Sequence, residues 1–244
     1  MIYSLQLYTV RGPLEADLPR TIKRVAQIGY TAVEPYNFVA TADDLAVALT
    51  ANNLTAPSGH APLLRADQDQ IFAAAQKLGI TTVIDPHVDS GRWNTEKDIV
   101  ATAQALNAAA AKGASYGIRV GYHNHEFELE SRINGRSGLE VLADHLEPSV
   151  VLEVDTYWAA VGGEDPVKLL GRLGDRVKLI HIKDGPLTKE DKDQVAVGHG
   201  SVPIWDVIAA VPGLEVGVVE LDDFNGDIFD AVTESFNYLK AGRT

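Results

Sequence analysis

The chain has 244 residues and is acidic, with 34 Asp and Glu against 21 Lys and Arg and a net charge of −13 at pH 7. A surface this acidic repels phosphate backbones and anionic lipid, which argues against nucleic acid and membranes as partners. Because cysteine is absent, disulfides, thiolate metal sites and cysteine nucleophiles are excluded. Hydrophobic residues make up 45% of the chain, which is enough for one sizeable core. A length of about 250 residues is usual for a single α/β barrel.

The first residues, Met1 to Leu7, lack the positive segment and apolar run of a signal peptide and are predicted to form a strand. No stretch approaches the roughly 18 uninterrupted apolar residues of a membrane span. The sequence therefore leads us to expect a soluble, cytoplasmic protein.

Short apolar runs alternate with longer amphipathic runs along the whole chain, which predicts eight strands, each followed by a helix. The strands are predicted at about 2–8, 31–35, 54–60, 80–87, 118–124, 150–155, 177–182 and 216–221. Helix ends are predicted at Gly29, Gly79, Gly117 and Gly174, and helix starts at Asp67, Thr95 and Asp165. The weakest helical patterns lie around 139–146 and after 202–203.

Eight strand–helix units without a linker between them predict one domain over residues 1–244, folded as a single (β/α)₈ TIM barrel. An open, doubly wound sheet is the alternative. It is less favoured because the count is eight and no glycine-rich phosphate loop follows the first strand.

Ionisable residues concentrate where the predicted strands end, which in such a barrel is the face that carries the chemistry. Five of the seven histidines lie there, and so do several charged residues: His60, His87, His123, His125 and His181, with Glu34, Asp155, Lys183 and Glu220. Imidazoles and carboxylates that converge on one mouth need a positive partner, and a divalent cation provides one. Nitrogen and oxygen donors without sulfur suit Mn²⁺, Mg²⁺, Co²⁺ or Zn²⁺.

Each of these residues also has a purely structural interpretation. Asp155 is in a position to cap a loop, and His181 lies between two isoleucines where a core histidine is equally expected. Lys183 has a structural role if it only pairs with Asp184. Trp158 is equally expected as a core residue or as a residue that packs against the face of a sugar ring. The metal hypothesis is favoured because four such residues occupy the last four strands together.

At these residues the chain resembles the xylose isomerase-like TIM barrel superfamily, and within it the sugar phosphate isomerase/epimerase group. The resemblance covers nearly the whole chain. Its most specific segments are GYHNHEFEL at 121–129, LEVDTYW at 152–158, RVKLIHIKDG at 176–185, VGHGSVPIW at 197–205 and the Val219-Glu220 pair. These motifs identify the family far more sharply than they identify the substrate.

The resemblance implies a metal held by Asp155, His181 and Glu220, together with a residue of the fifth strand. Epimerases of the group have a glutamate in that fifth-strand position, whereas His123 stands there in this chain. His125 and Glu126 are the alternatives for the same role. Substrate contacts are expected from Glu34, His60, His87, His125, Trp158 and Lys183.

The predicted function is a metal-dependent sugar isomerase or epimerase that removes a proton next to a carbonyl and forms an enediolate. Glu220 is expected to be the base, and His123, His125 or Lys183 is expected to handle the complementary proton. The same proton abstraction leads to a lyase or dehydratase of a keto-sugar, keto-glycoside or inosose if a substituent leaves. A non-catalytic sugar-binding or partner subunit is the second alternative.

The expected partner is a small sugar or keto-sugar, with a homo-oligomer left open. A DNA-repair endonuclease of the same superfamily is disfavoured, because it needs more metal ligands and a basic surface.

Overall fold

The computed structural model describes residues 1–243. Its main sheet contains eight parallel strands. They are β1 (Ile2–Gln6), β2 (Ala32–Glu34), β3 (Ser58–His60), β4 (Thr82–Asp85), β5 (Arg119–His123), β6 (Val151–Asp155), β7 (Val177–Ile182) and β8 (Val216–Val219).

The strands follow one another in the order β2-β1-β8-β7-β6-β5-β4-β3. Parallel bridges between Ala32 and Thr55 and between Tyr36 and His60 join the two end strands, so the sheet closes on itself. The prediction of a (β/α)₈ barrel is confirmed.

Helices lie between the strands and cover the outside of the barrel. They are α1 (Arg11–Ala16), α2 (Leu18–Ile28), α3 (Ala42–Ala51), α4 (Gln68–Leu78), α5 (Glu96–Ala114), α6 (Phe127–Glu130), α7 (Gly138–His145), α8 (Thr156–Val161), α9 (Pro166–Leu173), α10 (Ile204–Ala209) and α11 (Ile228–Ala241). The two weakest helical patterns are therefore confirmed as α7 and α10. The predicted caps Asp67, Thr95 and Asp165 each accept a backbone N–H of the helix they begin.

Several strands are shorter than the apolar runs that predicted them. The first strand ends at Gln6, because Leu7–Val10 forms a 3₁₀ helix. The third strand begins only after Pro57, and the fourth ends before Pro86. Proline offers no N–H to a ladder, which limits these strands to the residues between the prolines and the loops.

The barrel interior has an apolar layer towards the amino-terminal ends of the strands. Five side chains form a buried cluster separate from the main core between the strands and helices: Ile84, Val151, Leu179, Val216 and Val218. Alternate residues of a strand share one face. Two residues beyond Val151, Leu179 and Val218, the same face therefore carries Glu153, His181 and Glu220.

Within residues 1–243 there is no helix with the length and apolar character needed to cross a membrane.

Candidate metal centre at the mouth of the barrel

The four predicted metal donors meet at the carboxyl-terminal ends of β5 to β8. Donor atoms of His123, Asp155, His181 and Glu220 all lie within 4.8 Å of one another, and all four side chains are buried. His181 Nδ1 is 2.7 Å from Glu220 Oε2 and 3.9 Å from Asp155 Oδ2, and His123 Nε2 is 4.0 Å from Asp155 Oδ2. Two imidazole nitrogens and two carboxylate oxygens form a donor set that suits a divalent ion with positions left for substrate.

Asp155 combines the structural and the functional interpretation of its position. Its Oδ1 accepts the backbone N–H of Trp158 at 2.9 Å and so caps α8. Its Oδ2 is buried and accepts no directed hydrogen bond. The Lys183 ammonium lies 3.0 Å from this oxygen. A buried carboxylate oxygen that accepts no directed hydrogen bond and lies beside two imidazoles is available to bind a cation, so the residues present fit a divalent ion.

Lys183 supplies a positive charge beside these donors. Its ammonium group is buried and lies 3.0 Å from Asp155 Oδ2, 2.7 Å from Glu220 Oε2 and 2.6 Å from Asp222 Oδ2. The pairing with Asp184 considered from the sequence is not present. The Asp184 carboxylate instead accepts backbone N–H groups of the following loop, at Gly185, Gly198, Gly200 and Val202.

A second cluster of donors lies deeper in the barrel and includes a residue that the sequence analysis missed. Glu153 Oε2 is 2.5 Å from His60 Nε2, 3.2 Å from His181 Nε2 and 3.3 Å from His123 Nδ1. Donor atoms of these four residues also lie within 4.8 Å of one another. Glu153 precedes Asp155 by two residues in an apolar strand, so strand periodicity alone indicated that it faces the interior.

Burial and the neighbouring charges set the protonation of the cluster. Burial raises the pKa of Asp155 to about 6 against the opposing charges of Lys183 and His181. Burial also raises the pKa of Glu220, but Lys183 and His181 outweigh it and hold this pKa well below its usual range. Burial and the charge of His181 hold the pKa of His123 well below its usual value, which leaves a neutral ring with a free lone pair.

A cavity of about 230 Å³ opens above the donors. It is lined by Tyr8, Tyr36, Asn37, His60, Pro86, His87, His123, His125, Glu220 and Asp222. Of the predicted substrate contacts, His60, His87 and His125 line it. Glu34, Trp158 and Lys183 are buried and are not among the residues that line it. Tyr8, Tyr36, Asn37 and Asp222 were not expected from the sequence.

The fifth strand offers three candidates for the position of the family glutamate. His123 belongs to both donor clusters. His125 lies in the cavity wall with its Nδ1 buried and without a partner. Glu126 lies 3.5 Å from Lys189 on the outer side. The geometry therefore favours His123 among the three.

Fold and site together define a (β/α)₈ barrel whose mouth carries a buried His/Glu/Asp cluster able to hold a metal. Residues 22–241 match the model of the xylose isomerase-like TIM barrel family. The chain belongs to that family.

Three similar proteins were found. It is 24% identical over 177 residues to an inosose dehydratase from Lacticaseibacillus casei, a match that covers 64% of this chain and 56% of the relative. The chain thus spans little more than half the length of the curated relatives it matches.

Among solved structures, a sugar phosphate isomerase/epimerase from Parabacteroides distasonis superposes with a TM-score of 0.83. It is 24% identical, and the match covers 98% of this chain and 93% of that one. The probable 3-DHS dehydratase of petrobactin synthesis from Bacillus anthracis superposes with a TM-score of 0.78 at 16% identity, with full coverage of both chains. Both likenesses concern the fold.

Proposed function

We propose that the protein is a divalent-metal-dependent lyase that removes water from a small, uncharged keto-sugar or keto-inositol by β-elimination. The observation that carries the proposal is the convergence of His123, Asp155, His181 and Glu220 beneath a cavity of sugar-like size. The curated relative named as an inosose dehydratase supports elimination over the isomerisation favoured by the sequence.

The charges of the cavity wall support an uncharged substrate. Among its lining residues, all within the described part of the chain, are the acidic Glu220 and Asp222 but neither arginine nor lysine. Lys183, the nearest ammonium group, is already close to three carboxylates. A phosphate or carboxylate on the substrate would enter this wall without a free arginine or lysine to bind it.

The asymmetry of the site supports a single acid–base group. Epimerisation between two carboxylates needs one on each face of the substrate, and here Glu220 faces the neutral ring of His123 instead. Glu220 lines the cavity and is held in its carboxylate form, which is the form that accepts a proton.

The reaction then follows from the chain's own residues. A bound divalent ion would act as a Lewis acid that polarises the substrate carbonyl and makes the adjacent C–H more acidic. Glu220 takes that proton, and the C–O bond to the neighbouring hydroxyl breaks. The departing hydroxyl receives the proton back from Glu220 and leaves as water. His125 is placed to orient this hydroxyl, since burial and the charge of Lys183 lower the pKa of His125 to about 4 and keep its ring neutral.

The test is incubation with keto-inositols and keto-sugars in D₂O with Mn²⁺, Mg²⁺, Co²⁺ or Zn²⁺, followed by NMR. We expect loss of water from an uncharged substrate. Deuterium in an isomer or epimer of the substrate, formed without loss of water, would instead assign isomerisation. Lack of turnover in a protein that holds no metal would favour a non-catalytic binding subunit.

A matched pair of variants locates the base. Glu220→Gln should lose about 10²- to 10⁴-fold in rate, the usual contribution of a positioned base. Glu215→Gln is the control, because Glu215 lies at the opposite end of the same strand and pairs with Arg119 on the surface. Equal rates in the two variants would reject Glu220 as the base.

A further inference from the structure

Glu34 is a buried carboxylate that neither lines the cavity nor belongs to the donor set at the mouth. It is the last residue of β2 and is 0% exposed. Its Oε1 accepts Gln6 Nε2 at 2.8 Å and lies 3.0 Å from His181 Nε2. Its Oε2 is buried and has no hydrogen-bond partner. Burying a carboxylate this deeply costs free energy of folding unless the charge is paired. The contact with His181 provides such a pairing.

The two ring nitrogens of His181 face different partners. Nδ1 is turned towards Glu220 and Asp155, and Nε2 is turned towards Glu34. A histidine that binds a metal through Nδ1 keeps its proton on Nε2, and that proton needs an acceptor. Glu34 Oε1 is that acceptor, and it fixes both the tautomer and the rotation of the ring.

Glu34 is better placed for this than Glu153, the other buried carboxylate nearby. Glu153 Oε2 lies 3.2 Å from the same nitrogen, but its shortest contact is with His60 Nε2 at 2.5 Å. Glu34 Oε1 also lies 3.1 Å from His60 Nε2, but its contact with His181 is the shorter of its two histidine contacts, at 3.0 Å. Glu34 is in addition held in place by Gln6 from the neighbouring strand β1. Three hydrogen-bonded contacts thus link four side chains inside the barrel, in the order Gln6, Glu34, His181 and Glu220.

We propose that Glu34, anchored by Gln6, is a positioning residue that holds His181 in the orientation required for metal binding. This inference rests on the proposed function, because it needs a metal at the mouth. It replaces the direct substrate contact expected of Glu34 from the sequence.

The experiment compares Glu34→Gln with its matched control Glu153→Gln. Each variant removes one fully buried negative charge within reach of His181 Nε2. The Glu34 contact is the shorter one, at 3.0 Å against 3.2 Å for Glu153, and Glu34 is the carboxylate that Gln6 anchors. Co²⁺ is titrated into metal-free protein by calorimetry, and the visible absorption of bound Co²⁺ reports the ligand geometry. Thermal unfolding of the metal-free variants shows separately whether each is folded.

We expect Glu34→Gln to bind Co²⁺ about 10- to 100-fold more weakly than the unaltered chain, with an altered Co²⁺ spectrum. Glu153→Gln should lose less affinity and keep the spectrum. Unchanged affinity and spectrum in folded Glu34→Gln would overturn the inference, and so would an equal loss in both variants. If the unaltered chain itself binds no divalent metal, the proposed function fails first.

A second variant covers the case in which Glu34→Gln does not fold. Gln6→Leu leaves the carboxylate in place and removes its anchor, together with the cap that Gln6 Oε1 provides by accepting the Tyr8 backbone N–H. We expect a few-fold loss of Co²⁺ affinity, with most of it restored in Gln6→Asn if the shorter amide still reaches Glu34. No change in Gln6→Leu would count against the anchoring chain.

Discussion

Two layers of the same barrel interior differ completely in character. The lower layer is apolar, built from Ile84, Val151, Leu179, Val216 and Val218. Two to four residues further along the chain, the upper layer carries carboxylates, an imidazole and an ammonium group: Glu153, Asp155, His181, Lys183 and Glu220. Because both layers lie on the same inward face of the strands, the difference comes only from which residue types occupy successive inward positions. The lower layer closes the barrel, and the upper layer provides its chemistry.

The two layers also differ in what they contribute to stability. Burying the apolar layer is favourable by itself. The upper layer concentrates charges away from water, which is tolerated only because they pair with one another. Asp155 Oδ2 remains without a directed hydrogen bond. We therefore expect substitutions in the upper layer to alter metal binding and rate, and substitutions in the lower layer to alter the free energy of unfolding.

The largest effect should follow from Asp155→Asn. This change keeps the side-chain oxygen able to cap α8 but removes the charge offered to a cation. We expect the rate to fall on the order of 10³-fold or more, about 4 kcal/mol of transition-state stabilisation. Metal content by elemental analysis should fall with it. Retention of metal and rate by a folded Asp155→Asn protein would remove Asp155 from the site.

The fold and most of the upper layer were predictable because both depend on local patterns. Alternating apolar and amphipathic runs indicated eight units, and polar residues at the strand ends indicated the mouth. Glu153 was missed although its spacing of two from Asp155 carries the same signal.

Tyr8 and the hydrogen-bond partners of Asp222 were not predictable in this way, because they depend on loops that meet only in the folded chain. Asp222, for example, accepts side-chain donors from Trp158, Lys183 and Gln194, which are distant in sequence. Hydrogen bonds of this kind leave no periodic trace.

The second effect concerns the lower layer. Leu179→Ala removes a buried side chain that is paired in register with Glu153 and Val216. We expect a loss of about 2–5 kcal/mol in the free energy of unfolding, measured in urea. The rate per folded molecule should change far less than in Asp155→Asn. A drop in metal affinity as large as that of Asp155→Asn would show that the layers are not separable.

A smaller effect is expected where the lower layer is tightly packed. A Cβ placed on Gly121 would lie 2.5 Å from Ile84 Cδ1 and 3.0 Å from the Val151 carbonyl oxygen. Gly121→Ala should therefore destabilise the barrel by about 1–3 kcal/mol, and adding Ile84→Val should recover part of the loss. Gly171→Ala is the matched control, because its Cβ meets nothing within 4 Å in α9. That control should be neutral or stabilise by about 0.5–1 kcal/mol. Equal losses would contradict the packing argument.

The smallest effect, when taken per pH unit, comes from a buried carboxylate outside the upper layer. It tests whether the cations of the upper layer are what keep the carboxylates of that layer ionised. Glu128 is fully buried, accepts Tyr122 Oη–H at 2.6 Å and the His125 backbone N–H at 2.9 Å, and has none of the imidazole partners that Glu34 and Glu153 have. Burial raises its pKa to about 8, against the opposing hydrogen bond from Tyr122. By contrast, His181 and His60 outweigh burial and the charge of Glu34 and lower the pKa of Glu153 to about 2.

A raised pKa in the folded chain means that Glu128 holds its proton where the unfolded chain would release it. Its contribution to stability is therefore complete below about pH 4.5 and is lost as the pH rises towards 8. Over that window the free energy of unfolding of the unaltered chain should fall more steeply than that of Glu128→Gln, by up to about 1.4 kcal/mol per pH unit. The exposed Glu130→Gln is the control and should keep the original slope, and an unaltered slope in Glu128→Gln would mean that Glu128 is ionised in the fold. In that event an ionised carboxylate would be stable in this interior without a neighbouring cation. Pairing with cations would then not be required to keep the carboxylates of the upper layer ionised.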